Sequence, residues 1–429
     1  MEIARPTYLQ QLIDLSWDGQ VKVITGIRRC GKSYLLNRIY RQYLLNSGVA
    51  ENRLIFISLD FAKDIRFRNP LILAEFVHSL VDNTPDRHYL FIDEIQMSDE
   101  VPNPYNHLGK KITFYDAIND LRSLSNLDIY VTGSNSKMLS SDILTEFRGR
   151  SDEIRVHPLS FAEFYAAVQG DKREAFEQYA IYGGLPFTLA KPNDSAKIKY
   201  LDSLFSEVYL KDIIERKHVE RPDILAQIID FICSSIGSLT NPHKIAGFLQ
   251  ASLHTKIAPN TVSQYIQHLQ DAFLISESKR YDVKGKKYFA YPYKYYCEDL
   301  GLRNARLGFR QQEMTHIMEN IIYNELIIRN FNVDVGVVYE REINDSGFSV
   351  RQPREIDFIA TQGTRKIYIQ SAYALPNPNK IAQETAPLAF TGDSFPKVII
   401  RQDMHRRWYD EKGNLNLGLL EFLLDKDSL

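Results

Sequence analysis

Residues 21–33 read VKVITGIRRCGKS, an apolar segment that runs directly into a glycine-rich turn ending in lysine and serine. The apolar residues predict a buried strand at Val21–Thr25, and residues 33–45 have the pattern of a helix. The turn between them fits GxxxxGK[S/T], and a strand before it with a helix after it is the context that this pattern requires. The stretch therefore predicts a phosphate-binding loop in an α/β domain.

Each part of this loop has a chemical role toward a nucleoside triphosphate. Glycines let backbone N–H groups wrap around phosphate oxygens, and the helix N-terminus favours negative charge. Lys32 is expected to reach the β- and γ-phosphates, and Ser33 to bind Mg²⁺. We predict ATP contacts from the whole loop, Gly26, Ile27, Arg28, Arg29, Cys30, Gly31, Lys32 and Ser33.

A second apolar segment, YLFIDE at residues 89–94, ends in two acids. A buried strand here places Asp93 at its carboxyl end beside the phosphates, where it can hold Mg²⁺ together with Ser33. Glu94 follows and can polarise the attacking water. A strand that merely ends in a solvated acidic turn is disfavoured, because the acids lie about 60 residues after a phosphate-binding loop.

Two further candidates follow the predicted strand at residues 128–132. Asn135, with Ser134 as the second choice, would contact the γ-phosphate or position water, although an asparagine that only forms a turn fits as well. Arg148 and Arg150 close the next predicted helix, and one of them could reach a nucleotide held by a neighbouring subunit. A solvated arginine at a helix end is equally consistent with the sequence.

The composition indicates ordinary globular domains. The chain has 429 residues, 44% of them hydrophobic and 25% charged, and a net charge of -2; this length corresponds to roughly three domains. The three cysteines are far apart and form no CxxC pair, which argues against a disulfide framework or a zinc site and suits a reducing cytosol. No segment resembles a signal peptide or approaches the ~18 apolar residues of a membrane span, so we predict a cytoplasmic protein without membrane contact.

Beyond residue 150, helical patterns dominate as far as about residue 274. Residues 241–275 predict a helix–turn–helix, and a lysine-bearing hairpin at residues 280–288 would be its wing. One interpretation is that this region contacts DNA. The net charge of the chain does not indicate DNA binding, but such binding depends on local positive patches. The other interpretation is a module that docks a protein partner. The candidate contacts are Lys284, Lys286, Lys287, Arg303, Arg306 and Arg310, with Asn260, Ser263, Gln264 and Gln267 on the second helix.

The last third of the chain predicts a second α/β unit in which acids lie on neighbouring elements, Glu319 and Glu325 on a helix and Glu355 and Asp357 on a strand. A metal-dependent nuclease needs clustered acids and usually a lysine on the next strand. Gln370 and Ala372 stand on that strand where a carboxylate and a lysine are usual. The sequence therefore favours a nuclease-like fold retained for binding over an active nuclease.

Taken together, these motifs resemble the AAA+ ATPases. More narrowly, the chain is similar to a prokaryotic family that couples an AAA+ module to a C-terminal domain of uncharacterised function. The matching segments cover most of the chain: GIRRCGKS (26–33), LFIDEIQ (90–96), TGSNSKML (132–139), FRGR (147–150), PLSFAEF (158–164), YGGLP (182–186), EIDF (355–358) and IYIQ (367–370). Residues 98–111 depart from the family pattern as an insertion.

The resemblance implies that Asp93 and Glu94 are the Walker B acids, Asn135 the sensor and Arg150 the likelier arginine finger. It also implies four domains: a parallel-sheet AAA+ domain (1–157), a helical lid (158–218), a winged helix (219–290) and an α/β restriction-endonuclease-like domain (291–429). We expect a homo-oligomeric, Mg²⁺-dependent ATPase that switches DNA or a protein partner. An ATP-regulated nuclease is the alternative, and Glu94 speaks against a scaffold that only senses nucleotide.

Overall fold

A computed structural model describes residues 3–104, 109–133, 147, 149–343, 348–373, 378–403 and 406–429, with residues 253 and 378–382 described by their backbone alone. The chain divides into two compact units. The first comprises Met1–Pro158 with Asp271–Phe273, and the second comprises Leu159–Gln270 with Leu274–Leu429. No helix among the described residues is long and apolar enough to cross a membrane.

The first unit is built around a parallel sheet. Its described strands are β1 Val21–Thr25, β2 Leu54–Ser58, β3 His88–Asp93, β4 Val101–Pro102, β5 Lys111–Ile112, β6 Leu127–Thr132 and β7 Ser151–Arg155. Five of them form a sheet in the order β2-β3-β6-β1-β7, and every pairing is parallel. This confirms the predicted α/β fold. The antiparallel pair β4–β5 begins within the insertion at residues 98–111 and ends at Ile112.

Helices pack on this sheet because its strands are apolar on both faces. They are α1 Pro6–Asp14, α2 (the continuous run Lys32–Tyr34, Leu35–Tyr40 and Arg41–Asn46), α3 Pro70–Val81 and α4 Phe114–Leu121. Asn69 caps the start of α3, and Thr113 with Asp116 forms a capping box on α4. Leu73 and Ile118 from these helices share one buried core with side chains of β1, β3 and β6.

The second unit begins with helices, as predicted. They are α5 Phe161–Val168, α6 Lys172–Tyr182, α7 Asp194–Ser203, α8 Lys211–Arg216, α9 Pro222–Ser234, α10 Pro242–Leu253 and α11 Pro259–Asp271. Helices α10 and α11 stand where the helix–turn–helix was predicted. Pro259 opens α11, and the buried face of α11 is formed by Val262, Tyr265, Ile266 and Leu269.

The rest of the second unit is a mixed sheet with flanking helices. Its strands are β8 Ile275–Ser278, β9 Arg280–Asp282, β10 Lys287–Tyr288, β11 Lys294–Cys297, β12 Asn332–Ile343, β13 Ser349–Gln362, β14 Arg365–Ala372, β15 Lys397–Arg401, β16 Trp408–Tyr409 and β17 Leu415–Gly418. Its helices are α12 Leu300–Arg306, α13 Met314–Ile328, α14 Pro378–Ala389 and α15 Leu419–Leu424. Within the described residues, eight strands form one sheet, in the order β10-β9-β12-β13-β14-β15-β17-β16.

The hairpin predicted as the wing, β9–β10, forms one edge of this large sheet. Strand β9 pairs in parallel with β12, where Gly336 lies opposite Tyr281. Val283 packs in a buried cluster with Val338 and Ile356, and this apolar contact fixes the hairpin on the sheet. The lysine-rich sequence of the hairpin gave no sign of this contact. A separate antiparallel pair, β8–β11, follows α11 instead.

The YGGLP motif has a structural explanation in the second unit. Gly183 has φ 72°, and a Cβ there would lie 2.4 Å from a carboxylate oxygen of Asp299. Asp299 caps α12 through Leu302 N and also accepts a hydrogen bond from Gly184 N at 2.8 Å. A Cβ on Gly184 would lie 2.4 Å from the carbonyl oxygen of Leu159. The glycines therefore allow α6 to approach the start of α12 closely.

Candidate functional site

The loop between β1 and α2 has the backbone that its glycines predict. Gly26 has φ 133°, and a Cβ there would lie 2.0 Å from the carbonyl oxygen of Val156. Gly31, with φ 105°, precedes the first residue of α2. Arg29 also adopts a positive φ, 69°. The loop thus curls at the carboxyl end of the sheet, with its glycines at the points where a side chain would clash or strain the backbone.

Lys32 folds back onto this loop. Its Nζ atom donates to the carbonyl oxygens of Gly26 at 2.9 Å and Ile27 at 3.2 Å, and the residue is only 5% exposed. Both partners are neutral. Hydrogen bonds to charged oxygens are roughly twice as strong as those to neutral ones, so an anion entering the loop would attract this ammonium group more strongly than its present partners do.

Ser33 and Asp93, the two predicted metal ligands, lie together. Ser33 Oγ donates to Asp93 Oδ1 at 3.1 Å. Burial raises the pKa of Asp93, an effect partly offset by hydrogen bonds from Thr132 and Ser33. A hydroxyl and a carboxylate side by side are oxygen donors of the kind that Mg²⁺ accepts. The donor set therefore fits a hard divalent cation.

Thr132 is a part of this site that sequence reasoning missed. Its hydroxyl donates to Asp93 Oδ1 and accepts from the backbone N–H of Glu94 at 3.3 Å. The register of β3 with β6 sets Ile92 beside Val131, which brings the last residue of β6 next to the acids. The sequence signal that could have identified Thr132 is its position at the end of β6, the strand that pairs with the acid-bearing strand β3.

Glu94 lies directly after β3 in a left-handed conformation, with φ 59°. The side-chain amide of Gln96 donates to its carboxylate. A non-glycine residue in this region of backbone space is uncommon and concentrates at functional sites. The carboxylate of Glu94 is therefore held beside Asp93 by both the turn and its neighbour.

Arg5 supports the loop from behind, which no sequence motif indicated. This side chain is 4% exposed. It donates to the carbonyl oxygen of Cys30 at 3.2 Å and to that of His157 at 2.7 Å. The guanidinium group also lies 4.6 Å from the ring centre of Tyr8. Through these contacts the segment before β1 fixes the middle of the loop.

Of the remaining predicted residues of the ATP site, the structure describes Arg150. Asn135, Ser134 and Arg148 lie outside the described residues. Arg150 is exposed just before β7, and its carbonyl oxygen accepts from Val21 N at 3.2 Å. Its position places it on the surface of the first unit.

In the second unit, three of the four predicted acids meet around a lysine that the sequence argument did not single out. Lys294 Nζ lies 2.8 Å from Glu319, 2.8 Å from Glu355 and 3.5 Å from Asp357. The fourth acid, Glu325, pairs with Arg329 at 2.8 Å instead. Within the described residues, no group of three or more His, Cys, Asp or Glu side chains has the arrangement of a metal site.

A bulge in β13 separates these acids from Gln370 and Ala372. Asp357 and Phe358 together stand opposite the single residue Val335. A bulge of this kind redirects a side chain. Ile356 shares a buried cluster with Tyr368 and Ala372, and alternation along β14 puts Gln370 on that same face. Gln370 and Ala372, which stand where a carboxylate and a lysine are usual, therefore lie on the face of this buried cluster, and the lysine beside the acids comes from β11.

The residues predicted to contact DNA fall into two groups, those engaged in contacts within the fold and those exposed on the surface. Arg303 is 2% exposed and donates to the carbonyl oxygens of Cys233 and Gln311. Arg306 binds Asp230 at 2.6 Å. These two arginines stabilise the fold and are not part of an open cationic surface, which corrects the expectation. The hairpin lysines and three side chains of α11 are exposed: Lys284, Lys286, Lys287, Asn260, Gln264 and Gln267.

Comparisons with known proteins cover the residues of this site. A family model for the AAA domain matches residues 18–165, and one for a domain of unknown function matches residues 173–313. An uncharacterized protein of Haemophilus influenzae is 32% identical over 403 residues, covering 93% of each chain. An uncharacterized protein of Methanocaldococcus jannaschii is 27% identical over 377 residues, covering 84% of this chain and 76% of its own.

Solved structures are more distant. DnaA from Aquifex aeolicus bound to AMPPCP is 16% identical, with 61% of this chain and 85% of that chain covered and a TM-score of 0.31. The Aeropyrum pernix ORC1 protein in complex with DNA is 11% identical, with 72% and 93% covered and a TM-score of 0.29.

Proposed function

The chain belongs to the same family as the uncharacterized Haemophilus influenzae protein, with an AAA domain at residues 18–165, and from this premise we propose that it is a Mg²⁺-dependent ATPase. The observation that carries the proposal is the contact of Ser33 with Asp93 at the end of the loop that holds Lys32. A metal ligand pair next to a phosphate-binding lysine is the arrangement needed for phosphoryl transfer to water.

The roles follow from the contacts. Lys32 would exchange its two carbonyl partners for β- and γ-phosphate oxygens, which are stronger acceptors. Ser33 and Asp93 would hold Mg²⁺, which supplies charge neutralisation between the phosphates. Thr132 orients the Asp93 carboxylate, and Glu94 polarises the attacking water.

Two roles rest on the sequence pattern. Asn135 is proposed as the sensor of the γ-phosphate. Arg150 is proposed to complete the site of a neighbouring subunit in a homo-oligomer, and its exposure is compatible with that role. Mixing Arg150→Ala with Glu94→Gln protein tests the idea, since each lacks a different half of a composite site. Rescued hydrolysis would support it, and no rescue together with a monomeric mass under ATP would refute it.

The proposed output is a switch acting in the cytoplasm on DNA or on a protein partner. Helices α9, α10 and α11 followed by the β8–β11 pair have the element order of a winged helix, and α11 presents Asn260, Gln264 and Gln267. Lys284, Lys286 and Lys287 on the β9–β10 hairpin add positive charge in the same unit. Polar and cationic side chains of this kind contact bases and phosphates.

The deciding experiment measures phosphate release from ATP with and without single-stranded DNA, duplex DNA and RNA. Glu94→Gln protein, purified in parallel, controls for contaminating ATPases. Stimulation by one nucleic acid would identify the partner class. ATP turnover equal in wild type and Glu94→Gln would refute the ATPase itself.

A charge-reversal series tests the DNA surface separately. Reversing Lys284, Lys286 and Lys287 should weaken binding and reduce the slope of log K against log salt by about one for each lost phosphate contact. The matched control reverses three other exposed lysines, Lys172, Lys211 and Lys412. If wild type shows no DNA affinity at low salt with ATP, a protein-docking role is the better account.

A further inference from the structure

One edge of the large sheet in the second unit carries aromatic and cationic residues together. Residues 279–293, which contain the β9–β10 hairpin and the segment after it, include five cationic and five aromatic residues but only one acid, Asp282. The chain as a whole has a net charge of -2, so this positive charge is local. We call residues 279–293 the aromatic edge.

The hairpin lysines of the aromatic edge are available to a ligand. Lys284, Lys286 and Lys287 are exposed, and within the described part of the chain none of them pairs with a carboxylate. The one acid, Asp282, is buried, and its Oδ1 atom accepts from the backbone N–H groups of Lys284 at 3.1 Å and Gly285 at 2.8 Å. Because no carboxylate neutralises the three ammonium groups, they attract a polyanion strongly.

Two tyrosines of the same edge expose their rings. Tyr288 is 58% exposed, and Tyr291 is 46% exposed. A second ring supports each of them: Tyr281 lies edge-on to Tyr288 with ring centres 5.1 Å apart, and Tyr293 lies 4.7 Å from Tyr291. The hydroxyl of Tyr288 also donates to Asp334 at 2.9 Å. The exposed rings are therefore held in a defined orientation.

The backbone sets the lysines and the tyrosines next to each other. Tyr288 follows Lys287 on β10 and pairs with Tyr281 on β9. After the hairpin the chain continues to Tyr293, which exchanges two backbone hydrogen bonds with Thr240, of 2.8 and 2.9 Å. The N-terminal cap of α10 directly follows Thr240. The aromatic edge therefore runs from the lysine-bearing hairpin to the start of α10.

We propose that the aromatic edge binds single-stranded nucleic acid. Bases stack on the rings of Tyr288 and Tyr291, and phosphates bind the hairpin lysines. This inference rests on the DNA contact proposed above and narrows it to single strands. In a duplex the face of each base is covered by its neighbours, and only base edges and the backbone are accessible. Exposed aromatic faces beside cations fit unstacked bases joined by phosphates, whereas lysines alone would serve a duplex equally well.

The test compares single strands with a duplex. Fluorescence anisotropy of the full chain at low salt, with and without ATP, measures binding to labelled oligothymidylate, to oligouridylate and to a duplex of equal length. Wild type should bind the single strands more tightly. Tyr288→Ala and Tyr291→Ala should each weaken single-strand binding by roughly 5- to 150-fold, the typical loss when one stacking ring is removed, and leave duplex binding unchanged.

Two kinds of control accompany these variants. Tyr288→Phe and Tyr291→Phe keep the ring faces and should retain single-strand affinity. Tyr409, 69% exposed on β16 at the other edge of the sheet, is the matched exposed tyrosine, and Tyr409→Ala should change nothing. Tyr288→Trp gives a readout that does not depend on losing a ring. Its indole fluorescence should be quenched by the single strand, and that of Tyr409→Trp should not.

Salt dependence separates stacking from charge. The tyrosine variants should keep the slope of log K against log salt, whereas charge reversal of the hairpin lysines should reduce it for single strands and duplex alike. Equal affinity for both forms that the alanine variants leave unchanged, or an indole at position 288 that a bound strand does not quench, would overturn the stacking surface and leave the proposed DNA contact standing. Wild type that binds no nucleic acid in either condition would refute both.

Discussion

Lys32 in the first unit and Lys294 in the second are both buried but make opposite contacts. Lys32 is held by two neutral carbonyl oxygens of its own loop, whereas Lys294 is held by three carboxylates from other elements. Lys32 can leave its partners at low electrostatic cost once a phosphate arrives. Lys294 cannot leave without stranding several buried charges.

The acids of the two units differ for the same reason. Asp93 faces the hydroxyl groups of Ser33 and Thr132, which are neutral and can share a cation with it. Asp357 faces an ammonium group, which is itself a cation and already neutralises part of the charge of these acids. Clustered acids at a strand therefore do not identify a metal site until the groups opposite them are known.

The largest expected difference between the two acid sites lies in their effect on ATP hydrolysis. Glu94→Gln should keep ATP bound and slow hydrolysis by about 10²–10⁴-fold, since the water loses its polarising base. Asp357→Ala should leave hydrolysis unchanged. Phosphate release and binding of a fluorescent nucleotide measure both variants.

Incubating the same proteins with Mg²⁺ or Mn²⁺, ATP and several DNA and RNA forms extends this test. Metal-dependent cleavage needs a bound metal and an activated water together. We expect no cleavage, because the acids of the second unit contact Lys294. Metal-dependent cleavage by wild type that disappears in Asp357→Ala would reverse the comparison and favour an ATP-regulated nuclease.

Substituting the lysines themselves should separate binding from stability. Lys32→Ala should weaken ATP binding by on the order of 10²-fold, by removing charged hydrogen bonds to phosphate, with little change in Tm. Lys294→Met should lower the free energy of unfolding by about 3–5 kcal/mol, because it leaves buried carboxylates uncompensated. Isothermal titration gives the ATP affinity of each variant, and thermal unfolding gives its stability. Equal losses of stability in the two variants would contradict the proposed difference between Lys32 and Lys294.

A smaller effect is expected at Thr132. Thr132→Val keeps the shape of the side chain but removes the hydroxyl that donates to Asp93. A lost hydrogen bond to a charged group corresponds to about 1.5–3 kcal/mol, so hydrolysis should fall by roughly 10- to 100-fold. Wild-type turnover in Thr132→Val would show that Asp93 needs no such orientation.

Sequence reasoning placed the phosphate-binding loop and the acids of the first unit next to each other but missed the lysine of the second unit, for a physical reason. The loop at residues 26–33 and the acids after β3 are contiguous stretches whose spacing carries their chemistry. Lys294 meets Glu319 and Asp357 only after β11, α13 and β13 come together. The bulge at Asp357 and the burial of Arg303 likewise depend on tertiary contacts, which no local pattern records.

The smallest expected effect belongs to another cation between acids, His78, whose side chain is partly exposed. Its ring lies 2.9 Å from Asp82 and 2.9 Å from Asp120, which connects α3 to α4. Hydrogen bonds to Asp120 and then Asp82 raise the pKa of His78 above its ordinary value. A raised folded-state pKa means that this stabilisation is fully present below the unfolded pKa of about 6.5 and is lost as the pH rises through the folded value.

His78→Gln should therefore lower the stability of the first unit by less than about 1 kcal/mol at pH 6, as is typical of exposed ion pairs. At pH 9 the two proteins should have equal Tm values, because the wild-type imidazole is then neutral. High salt at pH 6 should shrink the difference, since screening weakens exposed pairs far more than buried ones such as Lys294 with its three acids. A difference in Tm that persists at pH 9 would mean that His78 acts through neutral hydrogen bonds or packing. The small effect at His78 could then not be attributed to its exposure, in contrast to the buried Lys294.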